Sequence, residues 1–122
     1  CEDLLHIIDA TNSCNLGICL DTGHLNMCSK NQSDFIKMAG TRLRALHIAD
    51  NEGTSDQHLM PFGRGTVEWQ NVLLALKEIG YQDLFNFEIP GENRCPMGIR
   101  LLKLDYIKSM ATAMLDENLY EI

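Results

Sequence analysis

Residues 16–24 read Leu-Gly-Ile-Cys-Leu-Asp-Thr-Gly-His, and the first five of them decide the fold class. Leu16 to Leu20 is an unbroken apolar run, bounded by Asn15 and Asp21. A strand with water on one side alternates apolar and polar residues. A continuous run suits a strand covered on both faces, the habit of parallel sheets flanked by helices. Two similar stretches follow, Leu43 to Ala49 (LRALHIA) and Leu84 to Ile89 (LFNFEI), the latter closed by Pro90-Gly91.

Helical patterns fill the spaces between the strands. Residues 2–11, with Leu4, Leu5, Ile7 and Ile8, predict a short helix. Ser33 is positioned to cap a helix through Phe35, Ile36 and Ala39 that stops near Gly40. Thr66 precedes an amphipathic segment with Trp69, Val72, Leu73, Leu76 and Ile79 on one face, and Gly80 sits where a left-handed C-terminal cap belongs. The last helix is predicted from about Ile99 to Glu117, with Ile99, Leu102, Tyr106, Ile107, Met110 and Met114 as its inward stripe. The order α-β-α-β-α-β-α predicts an α/β fold with a parallel sheet and right-handed crossovers. We read residues 1–122 as a single domain with no linker.

The 122 residues carry 10 Lys and Arg against 17 Asp and Glu, a net charge of −7, which argues against a phosphate-binding surface and hence against nucleic acid. With 45% hydrophobic and 22% charged residues the composition is that of a folded globular protein. No apolar run reaches the ~18 residues of a membrane span. The five cysteines, at 1, 14, 19, 28 and 95, form no CxxC pair, and we read them as reduced thiols of a cytoplasmic protein.

In parallel sheets chemistry collects at the carboxyl ends of the strands. The first strand ends at Asp21 with His24 three residues on, the second carries His47 and Asp50, and the third carries Glu88. The connection from Asp50 to Gly65 spans 16 residues with four charges and three glycines, and it adds Asp56 and His58. Loops of that length in compact domains are usually functional or disordered. Each residue also has a plain structural reading. An Asp after a strand is commonly a turn former or helix cap, and a His within a strand is commonly a hydrogen-bonded core residue. Glu88 resists that treatment, because a carboxylate between Phe87 and Ile89 costs several kcal/mol unless a cation or hydrogen bonds compensate it. Jointly, carboxylates and imidazoles from neighbouring strand ends form a mixed oxygen and nitrogen site suited to Mn²⁺, Mg²⁺, Co²⁺ or Zn²⁺.

The strings DTGH, LHIAD, DQHLMPFGRGTVEW and FNFEIPGE, in this order and spacing, resemble the sugar phosphate isomerase/epimerase family, the xylose isomerase-like barrels. That superfamily also contains the three-zinc apurinic/apyrimidinic endonucleases. The resemblance implies the last three strand-helix units of a (β/α)8 TIM barrel. It implies one divalent metal held by a Glu of the fifth strand, an Asp of the sixth, a His of the seventh and a Glu of the eighth. Carried over by motif, the last three are Asp21, His47 and Glu88. Glu88 doubles as a catalytic acid/base, and His24 contacts substrate. Asp56 and His58 fall where the endonucleases hold their third zinc, so the pair is assigned to additional metal or to substrate. The fifth-strand Glu has no counterpart in this sequence. Three strands do not close a barrel, which takes roughly 200–250 residues. The expectation is therefore a fragment of a longer chain, or a partial barrel completed by an oligomeric partner.

The implied function is a sugar or sugar phosphate isomerase or epimerase. It would move a proton at the carbon beside a carbonyl, through an enediolate, on a small carbohydrate substrate. One alternative is a zinc-dependent endonuclease at abasic DNA, using Asp21, His24, His47, Asp56, His58 and Glu88; the acidic charge argues against it. The other is a non-catalytic partial barrel, because fold alone does not fix activity.

Overall fold

A computed structural model describes residues 1–29, 31–89, 94–116 and 119. Its elements are α1 (Glu2–Thr11), β1 (Ile18–Asp21), α2 (Thr22–Cys28), α3 (Gln32–Ala39), a 3₁₀ turn (Gly40–Arg42), β2 (Leu43–Ile48), α4 (Trp69–Glu78), β3 (Leu84–Phe87) and α5 (Met97–Met114). The three strands form one sheet in the order β1-β2-β3, and both pairings are parallel. The chain divides into two compact units, Cys1–Ile89 and Pro90–Ile122. The first holds the sheet and the first four helices, and the second holds α5.

The register creates two chemically different faces. Leu20 pairs with Leu46 and Leu46 with Phe85; Ile48 pairs with Phe87. Ile18, Leu20, Leu46 and Ile48 are buried, and with Ile36, Ala39, Val72, Leu73, Ala75 and Leu76 of α3 and α4 they make the core. On the opposite face Cys19 pairs with Ala45 and Ala45 with Leu84, while Asp21 pairs with His47 and His47 with Asn86. This face is open: Cys19, Leu84 and Asn86 are exposed. The expected burial of β1 on both faces is therefore corrected to burial on one. The apolar run at 16–20 does not reveal this, because Cys19 counts as apolar yet lies on the open side. The strand runs from Ile18 to Asp21 itself, and its register against β2 shifts between Ile18 and Cys19.

Local chemistry explains the other boundaries. Asn31, not Ser33, caps α3, its side chain accepting from the Asp34 N–H. Gly80 adopts φ 66°, and the N–H groups of Gly80 and Tyr81 close on the carbonyls of Lys77 and Leu76 as the expected left-handed cap. Trp69, Val72, Leu73 and Leu76 are buried along α4 as the periodicity predicts. On α5, by contrast, Ile99, Leu102 and Tyr106 of the expected inward stripe are exposed. Pro90, Gly91 and Glu117 lie outside the described residues. No helix among the described residues is long and apolar enough to cross a membrane.

Candidate metal centre

Because the strands are parallel, their carboxyl ends meet along one edge, and the register brings Asp21 directly beside His47 on the open face. Glu88 follows β3, and its N–H extends the ladder by donating to the Ile48 carbonyl at 2.9 Å. The result is one group of ligand atoms, from Asp21, His47 and Glu88, all within 4.8 Å of one another. Three residues distant in sequence are thus gathered at metal-ligand spacing by the sheet alone.

Asp21 serves two purposes. Its Oδ1 caps α2, accepting from the His24 N–H at 2.8 Å, which is the plain structural reading of an Asp after a strand. Its Oδ2 lies 3.3 Å from His24 Nδ1. Capping therefore fixes the rotamer of the same carboxylate that faces His47. The next residue, Thr22, is wholly buried; its hydroxyl donates to the Ala49 carbonyl at 2.7 Å and accepts from the Ala49 N–H at 3.0 Å. That exchange fastens the residue after β1 to the residue after β2, next to the Asp21–His47 pair.

His47 and Glu88 make the contact that tests the fit of a cation. His47 Nδ1 lies 2.6 Å from Glu88 Oε2. Even so the pair lacks hydrogen-bond alignment, and Oε2, although buried, has no hydrogen-bond partner among the described residues. A buried carboxylate oxygen without a donor is costly. A ring nitrogen and a carboxylate oxygen this close, beside a second carboxylate, fit the mixed oxygen and nitrogen donor set of a divalent ion.

The loop between β2 and α4 borders this group. It is tied down where it leaves the sheet, by paired main-chain hydrogen bonds between Asp50 and Leu59 at 2.8 and 2.7 Å. Asp50, a candidate ligand by its place at a strand end, is turned away. It is 1% exposed, accepting from the Asn51 and Val67 N–H groups and from Trp69 Nε1. A Cβ on Gly65 would collide with that carboxylate, so the Gly63-Arg64-Gly65 turn is shaped for Asp50. Asn51 and Asn26, also buried, bond one another at 2.8 Å, and Asn51 reaches the Gly23 carbonyl at 2.7 Å. This polar core lies beneath the DTGH turn and has no periodic pattern in the sequence. The adjacent Asp50 and Asn51 after an apolar strand were the only signal for it.

His24, Asp56 and His58 come together at the rim. Asp56 Oδ2 lies 3.1 Å from both His24 Nε2 and His58 Nε2. His58 Nδ1 donates to the Glu88 main-chain oxygen at 2.8 Å. Hydrogen bonding from His24, then from His58, holds the Asp56 carboxyl below its usual range. The bond to the Glu88 carbonyl, then the Asp56 carboxylate, pushes the His58 imidazole up against an opposing desolvation cost. The signs give a pH window. The raised group stabilises the fold fully below its unfolded pKa of ~6.5 and loses that contribution as pH rises through its folded value. The lowered group stabilises above ~3.9 and loses that contribution as pH falls through its folded value. Loop attachment is thus expected to be strongest between about pH 4 and 6.5. Amide hydrogen exchange of residues 51–59, corrected for intrinsic rates, should slow in that window in wild type. The slowing should vanish in His58→Gln.

The profile of the xylose isomerase-like TIM barrel matches residues 1–111. The chain belongs to that family. Among curated relatives of this xylose isomerase-like chain, the D-psicose 3-epimerase of Enterocloster bolteae is 35% identical over 82 residues, 67% of this chain and 25% of that protein. An inosose isomerase of Bacillus subtilis is 29% identical over 94 residues, covering 72% and 34%. The structure of a Methylomonas D-allulose 3-epimerase in complex with D-allulose superimposes with a TM-score of 0.61 at 30% identity, covering 72% of this chain and 28% of that one. The chain spans about a quarter to a third of the length of these curated relatives. Its three-stranded parallel sheet and helices are accordingly part of a TIM barrel.

Proposed function

We propose that this chain carries three ligands of a divalent metal in a sugar isomerase or epimerase, and that the substrate is a small ketose or related hydroxy-carbonyl sugar. The observation that carries the proposal is the Asp21, His47 and Glu88 group with its unsatisfied Glu88 oxygen. The similarity to sugar epimerases and an inosose isomerase supports the choice of substrate. A bound divalent ion would polarise the substrate carbonyl and favour loss of the neighbouring carbon-bound proton. Asp21, His47 and Glu88 would hold it. Glu88, with its carboxylate partly exposed, would serve as one of two acid/base groups. It would take the proton from one face of the carbon to leave an enediolate that the other group reprotonates from the opposite face. His24, the most exposed side chain of the group, would contact a substrate oxygen at the rim. A second carboxylate on the other side of the substrate would come from outside this sequence. We also read the protein as cytoplasmic, on its free thiols.

The endonuclease reading asks for several ions. Among the described residues one group reaches ligand spacing, and His24, Asp56 and His58 do not form another. The test of the proposed activity is solvent exchange. With Mn²⁺ and D-allulose in D₂O, the intact protein should incorporate deuterium at the carbon next to the carbonyl, and a chelator should stop it. Absence of exchange with D-allulose, D-fructose and inosose alike would remove the proposal.

A further inference from the structure

The reaction outlined above leaves Asp56 and His58 without a role, yet hydrogen bonds hold both at the rim of the ligand group. Asp56 Oδ2 bridges two imidazoles, His24 and His58, at 3.1 Å each. The second nitrogen of His24 faces Asp21 Oδ2 at 3.3 Å, and the second nitrogen of His58 donates to the Glu88 carbonyl at 2.8 Å. The contacts therefore run without a break from Asp21 across the loop to Glu88, the two carboxylate members of the ligand group. His58 also holds φ 51°, in the left-handed region that non-glycine residues seldom occupy. Such a backbone persists only where its surroundings over-determine it. Here the surroundings are the Glu88 carbonyl on one ring nitrogen and Asp56 on the other.

We propose that Asp56 is a positioning residue, whose Oδ2 fixes the rings of His24 and His58 in one arrangement and thereby ties the loop to both Asp21 and Glu88. This rests on the reading of Asp21 and Glu88 as ligands and of His24 as a substrate contact. Without Asp56, His24 would keep only the contact with Asp21, and a 58% exposed imidazole would sample other rotamers. Asp56 is suited to the task because a carboxylate oxygen accepts from two N–H donors at once. An amide in its place keeps an oxygen able to accept from both rings, whereas alanine removes the shared acceptor and leaves both without it.

The test is Asp56→Ala in the intact protein, loaded with Zn²⁺ and carrying ¹⁵N-labelled histidine; the side chain is 40% exposed, so its removal opens no core cavity. The ring nitrogen signals of both His24 and His58 should move, those of His47 should stay, and Zn²⁺ affinity should be unchanged. With Mn²⁺ and D-allulose, kcat/KM should fall about 10- to 100-fold, the usual cost of losing an outer partner of a metal site. The proposal is overturned if the His24 and His58 signals stay put. It is equally overturned if His47 moves with them and Zn²⁺ binding is lost, since Asp56 would then be a ligand or a general prop of the fold. Should the wild-type protein exchange no proton of any sugar, the proposed activity fails, and the nitrogen signals still decide the role of Asp56.

Discussion

Replacing Glu88 by Gln should leave the strands and helices in place and lower proton exchange at the substrate carbon by about 10²- to 10⁴-fold, the usual contribution of a positioned acid/base. The side chain keeps its shape, so no cavity opens, and its carboxylate is only partly buried. What changes is chemistry. An amide cannot take a proton from carbon, and at the oxygen 2.6 Å from His47 Nδ1 it either retains a neutral oxygen or places an NH₂ against the ring. Deuterium incorporation into D-allulose, read beside the circular dichroism spectrum and thermal midpoint, measures both halves of the expectation. Full exchange in the variant would remove Glu88 from the proton transfer.

Asp50→Ala should act in the opposite sense, on stability first. Asp50 accepts from two main-chain N–H groups and from the Trp69 indole, all in a buried setting. Each donor left without an acceptor costs about 1–3 kcal/mol, so for three donors the loss should be at least ~3 kcal/mol, a large part of the ~5–15 kcal/mol that holds a domain folded. A fall of more than about 10 °C in Tm is the expected reading, with Trp69 fluorescence reporting the change around its indole. The Tm would stay within a degree or two, roughly, if the carboxylate were spectating at the surface. The contrast with Glu88 is instructive, because both residues are carboxylates at strand ends. Glu88 faces the open side of the sheet and meets other ligand atoms, whereas Asp50 turns into the loop that it organises.

That difference marks where the sequence stops being informative. The apolar runs and the turn residues between them carry the strand count, the parallel order and the position of α4, and the spacing of Asp21, His47 and Glu88 relative to those runs brings them to one edge. Asp21 is legible because it ends its strand, and Gly80 because only a left-handed cap wants a glycine there. Three things depend on register or long-range contact and are hidden. The register shift between Ile18 and Cys19 in the pairing of β1 with β2 is announced by no periodicity. The polar core of Asn26, Asn51 and Asp50 looks like loop chemistry until folding buries it. The third is the joining of Asp56 and His58 to His24 and the Glu88 carbonyl, which requires the loop to fold back across the strand ends over a separation of some thirty residues.

The central claim is that Asp21, His47 and Glu88 bind one divalent ion, and counting ions tests it most directly. Equilibrium dialysis of the intact protein against Mn²⁺, with metal content measured per chain, should find one tightly held ion in the wild type and none in the Asp21→Ala, His47→Ala double variant. An unchanged ion content in the double variant would contradict the account, as would three ions in the wild type.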